Sequence, residues 1–202
     1  MGQRFKRVYQ FRVELQEVEP TVWRRIQVPE TYSFWDLHVA IQDAMGWLDY
    51  HLHEFKLTDP ASNRKVSFGI PDDELEEADL TMLPGWEYLI ADHFSPANPV
   101  AAYTYDFGDD WQHTVTLEEI LPKDKWGRYP RCLDGARACP HEDCGGPPGY
   151  DRLLRILRNP AHEDYEDMRA WVGEGFDPEA FNPAWVKFDD PHARWLISFI
   201  DP

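Results

Sequence analysis

Positive charge is scarce in this chain. Lysine and arginine number 20 against 37 aspartates and glutamates, for a formal net charge of −17. Nucleic-acid binders neutralise phosphates with a basic footprint. The only basic clusters here, Arg4-Phe5-Lys6-Arg7 and Trp23-Arg24-Arg25, are short. Direct duplex binding is therefore not expected, and the acidity is read first as solubility and self-repulsion. Long apolar runs are also missing. No stretch approaches a membrane span, and the first residues lack the apolar core of a signal peptide, so a cytoplasmic protein without membrane contact is expected. Cysteine is sparse and odd in number, three residues. A disulfide framework explains that poorly; reduced thiols explain it well.

What is present describes a folded domain. Hydrophobic residues make up 43% and aromatics 14%, with nine tryptophans, enough to build one substantial core. No repeat, low-complexity tract or linker interrupts residues 1–202, so a single domain is expected, with 182–202 as a tail.

The fold class expected is α+β with a mixed sheet. Val8–Leu15 sets Tyr9, Phe11, Val13 and Leu15 on one face of a strand, and Thr21–Val28 aligns Val22, Ile26 and Val28, together a hairpin. A helix follows: Ser33 caps it, Asp36 completes a capping box, Gly46 ends it, and Phe34, Leu37, Ile41 and Met45 form its apolar stripe. His51–Thr58 reads as a third strand with His51, His53, Phe55 and Leu57 on one face. The result is a ββαβ opening, β-grasp-like in element order. Pro71–Asp79, with six acids in nine positions, suits a solvated turn or short helix. A second hairpin joins Val100–Phe107 to Trp111–Glu118 through Gly108-Asp109-Asp110. C-terminal helices are expected near Tyr150–Leu157, His162–Val172 and Pro191–Ile200.

Several stretches taken together resemble a known family: Val22-Trp23-Arg24-Arg25, Ser33-Phe34-Trp35-Asp36-Leu37-His38, Gly46-Trp47 with His51-Leu52-His53-Glu54-Phe55, the run Tyr105 to His113, and Cys132-Leu133-Asp134-Gly135 through Cys139-Pro140-His141-Glu142-Asp143-Cys144-Gly145-Gly146. They resemble the plasmid pRiA open-reading-frame-three-like family, some members of which carry a transposon-passenger label. The resemblance spans about residues 5–182 and implies a compact α+β domain with a link to mobile elements. It supplies no reaction. A serine recombinase would need a serine among arginines and a basic DNA-binding module, and neither is present.

Cys132-x6-Cys139-x4-Cys144 is the most chemically specific pattern. Three thiolates could hold Zn²⁺ in a structural site whose fourth ligand comes from elsewhere. His113 is the first choice, because it shares the inward face of Trp111, Val115 and Leu117; His53 and His141 are the alternatives. The competing reading is small buried thiols and hydrogen-bonded core histidines. Asp106, Asp109 and Asp110 crowd one turn, where they either bind a hard cation or act as an acid–base pair, or simply turn the backbone. His51-x-His53 offers two imidazoles that either ligate or pack. The Gly145–Gly149 run could present N–H groups to an anion, but a tight turn closing the cysteine loop explains it better. Trp23, Trp35, Trp47 and Trp111 line a pocket or fill the core, and strand and helix phase favours core.

Two function classes follow. The first is a metal-stapled binding or scaffold module for a protein partner. The second is a small metal-dependent hydrolase using His51, His53, His113 and the Asp106–Asp110 turn.

Overall fold

The computed structural model describes residues 4–71 and 82–199. The first two strands, β1 (Arg7–Leu15) and β2 (Trp23–Pro29), form the expected antiparallel hairpin, and β1 buries Tyr9, Phe11, Val13 and Leu15 on one face. Helix α1 (Phe34–Met45) begins on the expected capping box. The Ser33 side chain accepts from the Asp36 N–H at 3.1 Å, and Asp36 accepts in return from the Ser33 N–H at 2.9 Å. Gly46 ends the helix at φ 93°, a conformation that costs little only without a Cβ.

Ten of the twelve α1 residues are buried, more than a one-sided stripe would give. The second cover is the last helix, α5 (Pro191–Phe199): Trp35 donates its indole N–H to the Pro191 carbonyl at 3.0 Å and packs its ring against Phe199. The tail after Asn182 thus closes the outer side of α1 over its described residues.

Strand β3 (His53–Thr58) starts two residues later than the alternation suggests, which leaves His51 in the bend before it. Then come β4 (Lys65–Gly69), β5 (Met82–Pro84), a one-turn helix α2 (Ile90–His93), β6 (Val100–Tyr105), β7 (Trp111–Pro122) and β8 (Arg131–Ala136). The acidic run foreseen as a turn or short helix lies almost wholly outside the described residues. All eight strands make one sheet, in the order β5-β4-β3-β6-β7-β1-β2-β8. Every neighbouring pair is antiparallel except β4 with β5, so the sheet is mixed. The ββαβ element order stands, but the likeness to a β-grasp stops at order, because β6 and β7 lie between β3 and β1.

The remaining helices are α3 (Gly146–Leu157) and α4 (Tyr165–Val172), with a 3₁₀ turn at Pro183–Trp185. Two expectations need correcting here. Cys132 is not in a loop; it is on β8, opposite Ile26 of β2. Gly146-Pro147-Pro148 is not a turn that ends before a helix at Tyr150; it is the first turn of α3. Proline suits that position because first-turn N–H groups have no intrahelical acceptor. The core sits between the sheet and α1, where Phe34 stacks on Phe68 with ring centroids 4.1 Å apart. Trp35, Trp47 and Trp111 are buried as expected. Trp23 is on the other sheet face, under the Arg12 guanidinium at 3.9 Å.

Candidate functional site

The β6–β7 turn is built by Asp106. Its backbone is left-handed at φ 56°, and its Oδ1 accepts from the N–H groups of Gly108 at 2.9 Å and Asp109 at 3.3 Å. That leaves Oδ2 uncommitted. Asp109 in turn accepts the Gly145 N–H at 3.1 Å, and the Asp109 carbonyl lies where a Cβ on Gly146 would fall, 2.3 Å away. Only glycine permits that approach, which docks the start of α3 on the turn. The docking carries Asp143, also left-handed at φ 58°, to His51.

The result is a cluster of three ligating atoms. His51 Nε2 lies 3.5 Å from Asp106 Oδ2 and 3.2 Å from Asp143 Oδ1. All three atoms fall within 4.8 Å of one another, the only group of three histidine, cysteine or carboxylate atoms to do so among the described residues. Nε2 is sealed from solvent and has no hydrogen-bond partner, while the ring stands edge-on to Tyr105. The Asp143 side chain is 71% exposed, so the cluster is open on one side. Left-handed non-glycine residues of this kind are uncommon and concentrate at functional positions.

Asp143 also lines a cleft of about 480 Å³ with Trp47, Tyr50, His141, Glu142 and Trp171. Hydrogen bonds fix its walls. Trp47 donates its indole N–H to the Pro140 carbonyl at 2.9 Å, and Glu142 accepts from the Leu48 N–H at 2.9 Å and from the Tyr105 hydroxyl. His141 packs against Trp171 and Phe176.

The cysteine set comes out differently. No three of Cys132, Cys139, Cys144 and His113 bring their ligating atoms within 4.8 Å of one another, so a closed four-ligand site is not assembled by these side chains as they stand. All three thiols are free. Burial raises the pKa of each, that of Cys144 to about 12. His113 faces inward as foreseen; its Nδ1 is held by the carbonyls of Trp111 at 3.0 Å and Tyr103 at 3.3 Å, and its Nε2 is buried without a partner. Burial pushes its pKa down to about 4.

The His51-x-His53 pair is split by the strand boundary. His53 points into the core, both nitrogens without a partner, and its ring stacks on His38. His38 belongs to a buried chain that the sequence did not disclose: Gln42 donates to the Tyr103 hydroxyl at 2.8 Å, which lies 2.8 Å from His38 Nδ1, while His38 Nε2 lies 2.7 Å from Asp49. A proton on Nε2 makes all three of these contacts hydrogen bonds. Asp109 docks α3, and Asp110 accepts from the Gln112 side chain at 2.9 Å, so neither joins His51. Asp143 was missed because it stands among the cysteines, and only the α3 docking brings it to His51.

Comparisons with known proteins agree with this fold. The profile of the family described as plasmid pRiA4b ORF-3-like protein matches residues 7–184. The uncharacterized protein y4hQ of Sinorhizobium fredii (strain NBRC 101917 / NGR234) is 35% identical over 196 residues, 93% of this chain and 94% of that protein. The crystal structure of the protein of unknown function MM3350 from Methanosarcina mazei Go1 is similar at a TM-score of 0.85 and 43% identity, over 92% of this chain and 100% of that one. Among the described residues no helix is long and apolar enough to cross a membrane.

Proposed function

Since the chain belongs to the plasmid pRiA4b ORF-3-like family, and neither relative's name carries an activity, we propose from the site itself that it is a metal-dependent hydrolase. Its cation is held by His51 Nε2, Asp106 Oδ2 and Asp143 Oδ1. The observation that carries this reading is the unpartnered, sealed Nε2 facing two carboxylate oxygens at the mouth of a cleft. One nitrogen and two oxygens suit Zn²⁺ or Mn²⁺, and three protein ligands with an open side is the pattern of a catalytic site. An ion bound there would supply a water of lowered pKa and polarise a carbonyl or phosphoryl oxygen. The residues' part is to fix the donors: Asp106 by its two backbone N–H bonds, His51 by Tyr105, and Asp143 by the docked start of α3.

The test is Mn²⁺ and Zn²⁺ titration of tag-free, chelator-stripped protein by calorimetry, followed by p-nitrophenyl ester and phosphodiester hydrolysis by the loaded protein. One ion should bind, and His51→Ala and Asp143→Asn should each weaken it at least about tenfold. Binding that both variants leave unchanged would overturn the assignment.

A second reading is a zinc-stapled module in the cytoplasm, tied to mobile elements, that docks a protein partner. It is favoured by free thiols in Cys132, Cys139 and Cys144 and by the exposed Leu48, Tyr50 and Trp171 along the same cleft. Stoichiometric zinc that survives His51→Ala but is lost in Cys139→Ser would favour it.

A further inference from the structure

Arg24 is only 1% exposed, yet no described carboxylate lies within ion-pair distance of it. Its neighbours behave otherwise. Arg25 forks onto Glu118 at 2.6 and 2.8 Å, and Arg194 reaches Asp43, Asp49 and Asp189. In a chain with 37 acids, a buried guanidinium with no acid beside it stands out. Burying a charge without a counter-charge is strongly unfavourable.

Carbonyl dipoles supply part of the compensation. Arg24 Nε donates to the Ala44 carbonyl at 2.8 Å, and Nη1 donates to the carbonyls of Trp23 at 2.8 Å and Ala136 at 3.0 Å. Ala44 is in the last turn of α1, which has no basic residue of its own, so Arg24 meets the negative end of that helix dipole, worth roughly half an elementary charge. The Phe181 ring lies 3.8 Å from the guanidinium carbon. Three of the five N–H donors of a guanidinium are thereby used. The other two, on Nη2, have no acceptor among the described residues.

Arg24 lines a cleft of about 330 Å³ whose apolar walls include Met45, Phe176, Phe181 and Trp185. Asp43 and Asp177 also line it, but both carboxylates are engaged. Arg194 and the Asp189 N–H hold Asp43, and Asp177 accepts the Glu179 N–H at 3.0 Å. Cys132 and Cys139 also act on Arg24, yet burial keeps both thiols protonated at neutral pH.

We propose that this cleft binds a small monocarboxylate with a flat apolar body, its carboxylate accepting from Arg24 Nη2 and its body lying against Phe176 and Trp185. Phosphate dianions fit less well, because a second negative charge would face Asp43 and Asp177. The proposal stands independently of the cation site, and the cleft shares Met45, Gly46, Ala138, Cys139 and Phe176 with the one that leads to Asp143.

The probe is benzoate, titrated into the full chain with chelator present so that metal binding plays no part, and read by thermal shift and calorimetry. Benzoate should bind saturably, acetate more weakly, and benzamide and inorganic phosphate not measurably. Arg24→Gln keeps a donor for a carbonyl but removes the charge, and should abolish binding. Trp185 is 65% exposed, so Trp185→Ala should fold normally, weaken benzoate at least about fivefold and leave acetate unchanged. No saturable benzoate binding, equal binding of benzoate and benzamide, or unchanged benzoate affinity in Trp185→Ala would each overturn the proposal.

Discussion

The ring of His38 lies flat on that of His53, centroids 3.4 Å apart and planes 8° from parallel. The stack favours a neutral His53, whose two ring nitrogens are buried without a partner that could compensate a charge. Burial first, and then the neighbouring His38 ring, hold the His53 pKa well below its ordinary 6.5.

The pH dependence of stability follows from that stack and from His113. The unfolded chain takes up protons on His53 and His113 near pH 6.5, and the folded chain does so only at lower pH. Their contribution is therefore complete above about pH 6.5 and lost as pH falls below it; for His113 the window runs from 6.5 to about 4. That one residue accounts for on the order of 3 kcal/mol across the window. Asp36 and Asp43, raised by burial, act in the opposite direction, and only nearer the carboxylate range. The urea midpoint should fall between pH 7 and pH 5, and His53→Phe should flatten the slope. A midpoint constant over that range would contradict this account.

Asp106→Asn separates turn from site. Asparagine tolerates the left-handed backbone and keeps an oxygen for the Gly108 and Asp109 N–H groups. Stability should change by less than about 1 kcal/mol, while Mn²⁺ affinity falls at least about tenfold. Paired calorimetry and urea unfolding check both halves, and equal loss in the two would point to a purely structural aspartate.

Ser33→Ala removes the side-chain acceptor of the α1 capping box. The expected loss is about 1 kcal/mol by urea unfolding. Ser33→Gly should cost only a few tenths, because glycine leaves the N-terminus open to water.

Phe34→Ala empties the space between Phe68 and Phe55. A loss of about 3–5 kcal/mol is expected from unfolding midpoints. Phe34→Leu should cost clearly less, because it retains most of the buried volume.

The long periodic elements were legible in the sequence. β1, β2 and β7 alternate because one face is buried, and α1 carries both its caps in its own residues. β8 was not legible: Arg131–Ala136 is an edge strand of half-buried and exposed side chains, with Asp134 and Gly135 inside it, so no period-two pattern is imposed on it. β5 has three residues and is defined only by its partner β4. The site was half legible. His51 and Asp106 stood out by residue type, and the strand face expected to carry both His51 and His53 carries only His53, because β3 begins there. Asp143 carried no local signal, because its nearness to His51 is created by the Gly145 and Gly146 contacts with Asp109. Its left-handed backbone is a property of the fold that no spacing rule announces.

The pairing of β1 with β7 joins Arg7 to Pro122 at one end and Leu15 to His113 at the other. On a ribosome, this makes the opening hairpin a long wait. One edge of β1 stays unpaired until more than a hundred residues have been synthesised, and an unpaired edge is a template for other chains. Closing so long a loop is slow. The period of greatest exposure to misassembly therefore ends only when Trp111–Pro122 arrives, and a chain truncated before that strand keeps the β1–β2 hairpin and the β3–β6 half of the sheet with no strand to join them.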